Sequence, residues 1–226
     1  MERKNAKKSI LHLRTRQKTL LCTTTVKPLS IMSAKSITEI VRGSPIRLIN
    51  HAFQCIKPDE TCDLPVEPLK TQSTHHSLAY LHGAELHEAF DRGNRGLWVD
   101  PKYWPYVRTF KAWMSKIGVR TSYSEWEFRG ARKYYGFCDL LAAGGPNRRG
   151  VVEFKLTWDL PEVPDSEDLY QLSLYSNSAS ERFCDPWNYW GALAYVHPDS
   201  HSMRLFLWRS MEEGCESANW VAREAA

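Results

Sequence analysis

"VVEFKLTW", residues 151–158, decides how this chain is read. Val, Phe, Leu, Thr and Trp suit a strand, yet Glu153 and Lys155 interrupt it. Side chains two apart in a strand share a face. Glu153 and Lys155 therefore point the same way, and Phe154 points into the opposite layer. Upstream, "YYGFCDLLA" (134–142) reads as a second strand, and "GGPNRRG" (144–150) is a turn by composition. Pairing the two strands across that turn brings Asp139 near Glu153. Two carboxylates and an ammonium then converge on one spot at a sheet surface.

Two carboxylates held close together repel, and one of them favours its protonated form. A hard divalent cation, Mg²⁺ or Mn²⁺, reverses this because it takes oxygen ligands and neutralises the pair. Such a cation polarises a phosphoryl oxygen and lowers the pKa of a bound water, and an adjacent lysine offsets charge building on the phosphate. The pattern suits phosphodiester hydrolysis. A surface salt bridge on an ordinary hairpin is the competing reading of D…ExK alone. Further residues add to the site. His87, in "HGAELHEAF", is a helix imidazole of a kind that ligates Mn²⁺ beside carboxylates. Gln171 and Tyr175 lie four apart on the segment after the third strand and share a helical face. That face can approach the sheet edge bearing the acids, although a Tyr there also suits plain core packing. Glu125 on the preceding strand is an additional acid, with Glu127 on its face. Trp158, just past the active strand, is a candidate base-stacking residue for substrate.

Working outward, "SYSEWEFR" (122–129) alternates and precedes the other two strands. "DLYQLSLYSNSA" (168–179) reads as a helix, then "YWGALAYVH" and "MRLFLWRS" as two more strands across the turn "PDSHS". Before the strands, residues 33–55 read as one or two short helices broken near Gly43–Pro45. Residues 56–73 read as a loop rich in proline and charge, and 76–93 as a helix with Leu78, Leu81, Leu86 and Phe90 inward. A further helix begins with Asp100 as N-cap and Pro101 at its first position. It carries Tyr106, Phe110, Trp113 and Ile117 as an apolar stripe and stops at Gly118. Helices, three strands, helix, two strands: the fold class expected is α/β with a central mixed sheet flanked by helices.

The chain has 226 residues, 42% hydrophobic and 25% charged, as in an ordinary globular protein. Its net charge of +4 is uneven. Residues 1–36 hold nine Lys/Arg against Glu2 alone, and the remainder carries 21 Lys/Arg against 25 Asp/Glu. The expectation is a basic, disordered N-terminal arm over 1–36 and a single domain over 37–226, with its catalytic core at about 76–210. The favoured reading of the arm is a solvated segment or residues ahead of a start at Met32; a phosphate-touching segment and an organelle transit peptide are the alternatives. No apolar run approaches the roughly 18 residues of a membrane span, so no membrane partner is expected. Cysteines 22, 55, 62, 138, 184 and 215 form no CxxC pair, which fits a reducing, cytoplasmic interior and gives no zinc ribbon.

In order, "GAELH" (83–87), "SEWEF", "GFCDLL" (136–141), "VVEFKLT" (151–157) and "QLSLY" (171–175) resemble the RecB-like branch of the PD-(D/E)XK nucleases. That branch includes phage exonucleases and CRISPR-associated RecB-like exonucleases. The likeness spans 83 to about 175, less than half the chain. It implies a restriction-endonuclease-like core and a DNA exonuclease working in recombination, repair or phage DNA processing, in the cytoplasm of a bacterial or phage-infected cell. It implies metal binding by His87, Asp139 and Glu153 with the Phe154 backbone carbonyl, Lys155 as the catalytic lysine, and Gln171 and Tyr175 as the helix pair that marks the branch. Some relatives hold an iron–sulfur cluster on one upstream and three clustered downstream cysteines. Here only Cys184 and Cys215 follow the core, so no such cluster is expected. The chain has no G-x-x-x-x-G-K-[ST], so any helicase motor would come from a partner. Two other functions stay open: a site-specific endonuclease on the same fold, and an inactive nucleic-acid-binding or assembly protein.

Overall fold

The computed structural model describes residues 32–33, 45–67, 83–129, 134–184, 189–197 and 202–224. The three central strands are β3 (Val119–Arg129), β4 (Tyr134–Gly144) and β5 (Arg149–Leu156). β3 runs antiparallel to β4 from Val119↔Gly144 to Arg129↔Tyr135, and β4 runs antiparallel to β5 from Ala143↔Arg149 to Leu140↔Val152. Helix α4 (Ser166–Phe183) then crosses over to β6 (Tyr189–His197), which lies parallel to β5. This is a βαβ unit, whose inner strand must be apolar on both faces. Eight of the nine residues of β6 are buried accordingly. β7 (Ser202–Trp208) returns antiparallel to β6, and β2 (Glu60–Pro65) pairs antiparallel with β7. A two-residue strand, β1 (Met32–Ser33), pairs in parallel with Tyr134 and Tyr135. The result is a mixed α/β architecture.

Alternation along the strands feeds two cores. On one face α1 (Pro45–Phe53), α4 and α5 (Glu212–Glu224) cover Val151, Leu193 and Phe206. On the other, α2 (Gly83–Asn94) and α3 (Trp104–Lys116) cover Val152, Phe154, Ala192, Ala194 and Leu205. Phe154 is stacked on Phe90 with centroids 3.9 Å apart and meets Phe110 edge-on at 4.8 Å. The β4–β5 turn rests on a third strand. Trp190 is fully buried and donates its indole N–H to the Gly144 carbonyl at 2.7 Å. A Cβ at Gly145 or Gly150 would overlap that ring, and Gly145 has φ +92°, so both positions require glycine.

Several expectations are corrected. The stretch read as a loop over 56–73 holds β2. It is an edge strand with exposed Glu60, Thr61 and Asp63, so it lacks the apolar signature of a buried strand. The helix expected from Pro101 begins at Trp104. Asp100 instead accepts from the Lys102 N–H at 3.0 Å in a preceding turn, and Pro105 occupies the first helical turn. Its stripe is buried at Tyr106, Phe110 and Trp113, with Ile117 half-buried. Helix α5 has no counterpart among the expectations, although Met211, Cys215, Ala218 and Val221 recur at helical spacing and are buried. The predicted helix over 76–93 corresponds to Gly83–Asn94, and Leu78 and Leu81 lie outside the described residues. So does most of the basic arm; Met32 and Ser33, assigned to it, form β1. Among the described residues no helix is long and apolar enough to cross a membrane.

Candidate active site

The β4–β5 ladder ends at Leu140↔Val152, whereas β5 continues beside β6 to Leu156. The two strands diverge just before Asp139 and Glu153 would face each other. At this fork a side chain takes over from the backbone: Asp139 Oδ2 accepts from the Phe154 N–H at 2.7 Å. Asp139 Oδ1 is bonded to His87 Nδ1, also at 2.7 Å. His87 comes from α2 in one layer. Gln171 comes from α4 in the other, and it donates to Glu153 Oε1 at 2.9 Å and to the Tyr175 hydroxyl at 2.8 Å. Both layers reach one spot because the strands between them separate there.

Glu153 and Lys155 do share a face, with Lys155 Nζ 3.4 Å from Glu153 Oε1. The lysine makes its shorter contacts elsewhere, 2.6 Å to Gln171 Oε1 and 3.2 Å to Asp168 Oδ1. Asp168 in turn accepts from the Tyr195 hydroxyl at 2.7 Å. Sequence reading missed Asp168 and Tyr195. Asp168 is legible, since it precedes Gln171 by three and Tyr175 by seven on one helical face. Tyr195 follows from the parallel register that sets it beside Lys155.

Electrostatics mark the cluster as unusual. Burial, then the Asp139 charge, push the Glu153 carboxyl well above its ordinary value. Glu153 is only 3% exposed, and its Oε2 is buried without a hydrogen-bond partner among the described residues. Burial opposes a charge on His87, but the hydrogen bond and charge of Asp139 outweigh it and raise the imidazole. Burial likewise opposes the Lys155 ammonium, and Glu153 and Asp168 outweigh it. Burial, then Glu153, raise the Tyr175 phenol. Glu125 on β3 is largely exposed, and partial desolvation of its carboxyl, then the Asp139 charge, raise it. It also has φ +48°, a left-handed conformation that is rare for glutamate and clusters at functional sites.

Sequence reasoning named His87, Asp139, Glu153, Lys155, Gln171 and Tyr175, and these are brought together. Phe154 enters through its backbone N–H, whereas the expectation concerned its carbonyl. Trp158 is not drawn in: it is 54% exposed and sits edge-on to His197 at 6.5 Å. An oxygen-preferring cation fits the chemistry of the donor set, because the orphaned Glu153 oxygen beside a second carboxylate is what such an ion relieves. Among the described residues no three His, Cys, Asp or Glu side chains already stand as a ligand set. Asp139 has both oxygens engaged, by His87 and by the β5 backbone. Each oxygen of a carboxylate has a second lone pair, so Asp139 can still offer one to a cation while it keeps these bonds.

No protein-family model matches the chain, and no curated protein does. Among solved structures, one described as "Crystal structure of SSO0001" is 17% identical with a TM-score of 0.33, over 46% of this chain and 48% of its own length. The chain thus spans about half of that structure, and a likeness this loose carries no functional argument.

Proposed function

We propose that this chain is a divalent-metal-dependent deoxyribonuclease of the RecB-like PD-(D/E)XK type, acting as an exonuclease on linear ends or single strands. The observation that carries the reading is the meeting of Asp139, Glu153, Lys155, Gln171 and His87, from four elements, in one bonded cluster that includes the buried Glu153 carboxylate, whose second oxygen has no partner among the described residues. A salt bridge on an ordinary hairpin needs neither the orphaned oxygen nor the imidazole.

Asp139 and Glu153 would hold Mg²⁺ or Mn²⁺, with His87 as a third ligand. The bound ion supplies Lewis acidity and a water of lowered pKa. The protein's own groups do the rest. Lys155 stays cationic and neutralises charge developing on the scissile phosphate. Gln171 ties the lysine to Glu153 and so fixes the distance between the two charges. Tyr175 anchors the Gln171 amide.

The test is cleavage of linear duplex, single-stranded and closed circular DNA with Mn²⁺ or Mg²⁺, with and without EDTA. Loss of linear DNA with circles spared is the expected result. Nicking of circles at fixed positions would assign an endonuclease, and no cutting with any metal would overturn the reading.

A further inference from the structure

If the nuclease reading is right, Lys155 bears the phosphate charge, yet D…ExK does not say what aims it. An ammonium has three N–H donors. Here they face Gln171 Oε1 at 2.6 Å, Asp168 Oδ1 at 3.2 Å and Glu153 Oε1 at 3.4 Å. Asp168 is itself braced. The Tyr195 hydroxyl donates to its Oδ2 at 2.7 Å and accepts from the Asp165 N–H at 3.2 Å. Asp165 caps α4, accepting from the Glu167 N–H at 2.7 Å. A continuous chain of bonds therefore runs from the helix cap through β6 to the amine. A lysine left free would lose rotamer entropy on being fixed over a substrate. The brace spends that entropy during folding.

We propose that Asp168, held by Tyr195, is a positioning residue for Lys155. With Gln171 it fixes two of the three donors, and the third, now on Glu153 at the longest of the three distances, is the one that turns to the substrate phosphate. The alternative is that Asp168 only complements the helix N-terminus, which would leave turnover untouched.

The test uses the full chain with Mn²⁺ and linear single-stranded DNA, and rests on the proposed nuclease activity. Asp168→Ala is expected to lower kcat about a hundredfold, the scale of a mis-aimed catalytic group. KM and calorimetric Mn²⁺ affinity stay near wild type. Asp168→Asn keeps an oxygen acceptor and recovers most of the loss. Tyr195→Phe lowers kcat in the same direction and adds nothing to Asp168→Ala, because the two act through one amine. Wild-type turnover in Asp168→Ala, a loss that falls on KM or Mn²⁺ affinity, or an Asn variant no better than Ala would overturn the proposal. A second readout does not need cleavage: the ¹H–¹⁵N signal of the Lys155 ammonium, assigned by its absence in Lys155→Arg. It is expected to be ordered in the wild type and averaged in Asp168→Ala, and equal order in both sinks the proposal. A wild-type chain that cuts nothing would end the nuclease reading, while this signal would still decide what holds Lys155.

Discussion

Replacing Glu153 by glutamine should make the metal-free protein more stable while removing its activity. Glu153 is 3% exposed. Its Oε1 accepts from Gln171 at 2.9 Å, and its Oε2 has no partner among the described residues. Leaving a buried acceptor unsatisfied costs about 1–3 kcal/mol, and Asp139 beside it raises that cost through like charge. Glutamine keeps the shape and the Oε1 acceptor and removes the charge; its NH₂ is as buried as the oxygen it replaces, so the gain comes from the lost charge alone. The expected gain at neutral pH in EDTA is about 1 kcal/mol or more, the scale of a carboxyl raised by one pH unit, and roughly 2–4 °C in Tm for each kcal/mol in a chain of this size. The pH dependence follows in sign. Burial and Asp139 hold the folded carboxyl well above its ordinary 4.5. Its contribution to wild-type stability is therefore complete below that value and is lost as pH rises through the raised folded value. The wild-type and Glu153→Gln melting curves should converge in acid and separate toward neutral pH. Mn²⁺ should then raise the Tm of the wild type alone. Calorimetric melts of both proteins across this range, in EDTA and in Mn²⁺, decide the matter. A variant less stable than wild type in EDTA at neutral pH, or equal Mn²⁺ stabilisation of both, would refute the reasoning.

Lys155→Ala should abolish DNA cleavage while calorimetric Mn²⁺ binding persists, because the amine acts on the phosphate; near-normal turnover would remove it from the mechanism. Asp139→Asn should weaken Mn²⁺ binding, since an amide is a poorer ligand than a carboxylate, and unchanged affinity would count against the ligand set. Phe154→Ala should cost about 3–5 kcal/mol in a denaturant melt, because its ring is 1% exposed between Phe90 and Phe110. A loss under about 1 kcal/mol, well short of that range, would mean the packing relaxes around it.

The central hairpin, the α4 crossover and most of the acid–lysine cluster are legible in the sequence because two periods settle them. Alternation puts Glu153 and Lys155 on one face, and helical spacing puts Gln171 and Tyr175 on another. Asp168 obeys the same spacing, but with Glu167 it is one of two acids in a helical first turn, which suits the helix dipole and draws no notice. What could not be read is set by tertiary partners. Among the described residues β2 pairs along one edge, with β7, and Glu60, Thr61 and Asp63 stay exposed, so its sequence resembles a loop. The start of α3 is displaced because Asp100 and Pro101 organise a turn ahead of the helix rather than its first residues. The divergence of β4 from β5 after Leu140↔Val152 leaves no mark in the residues, yet it admits His87 to Asp139.

Trp190 has a consequence for how this protein tolerates change. The tip between β4 and β5 is by composition a surface turn, the kind of place where chains usually accept extra residues. Here both of its flanking glycines rest against an indole anchored on a neighbouring strand. Lengthening one arm by a single residue would turn every side chain beyond it to the opposite layer and carry Glu153 and Lys155 away from Asp139. The indole is in effect a gauge block, setting the spacing of the two acids from the far end of their hairpin.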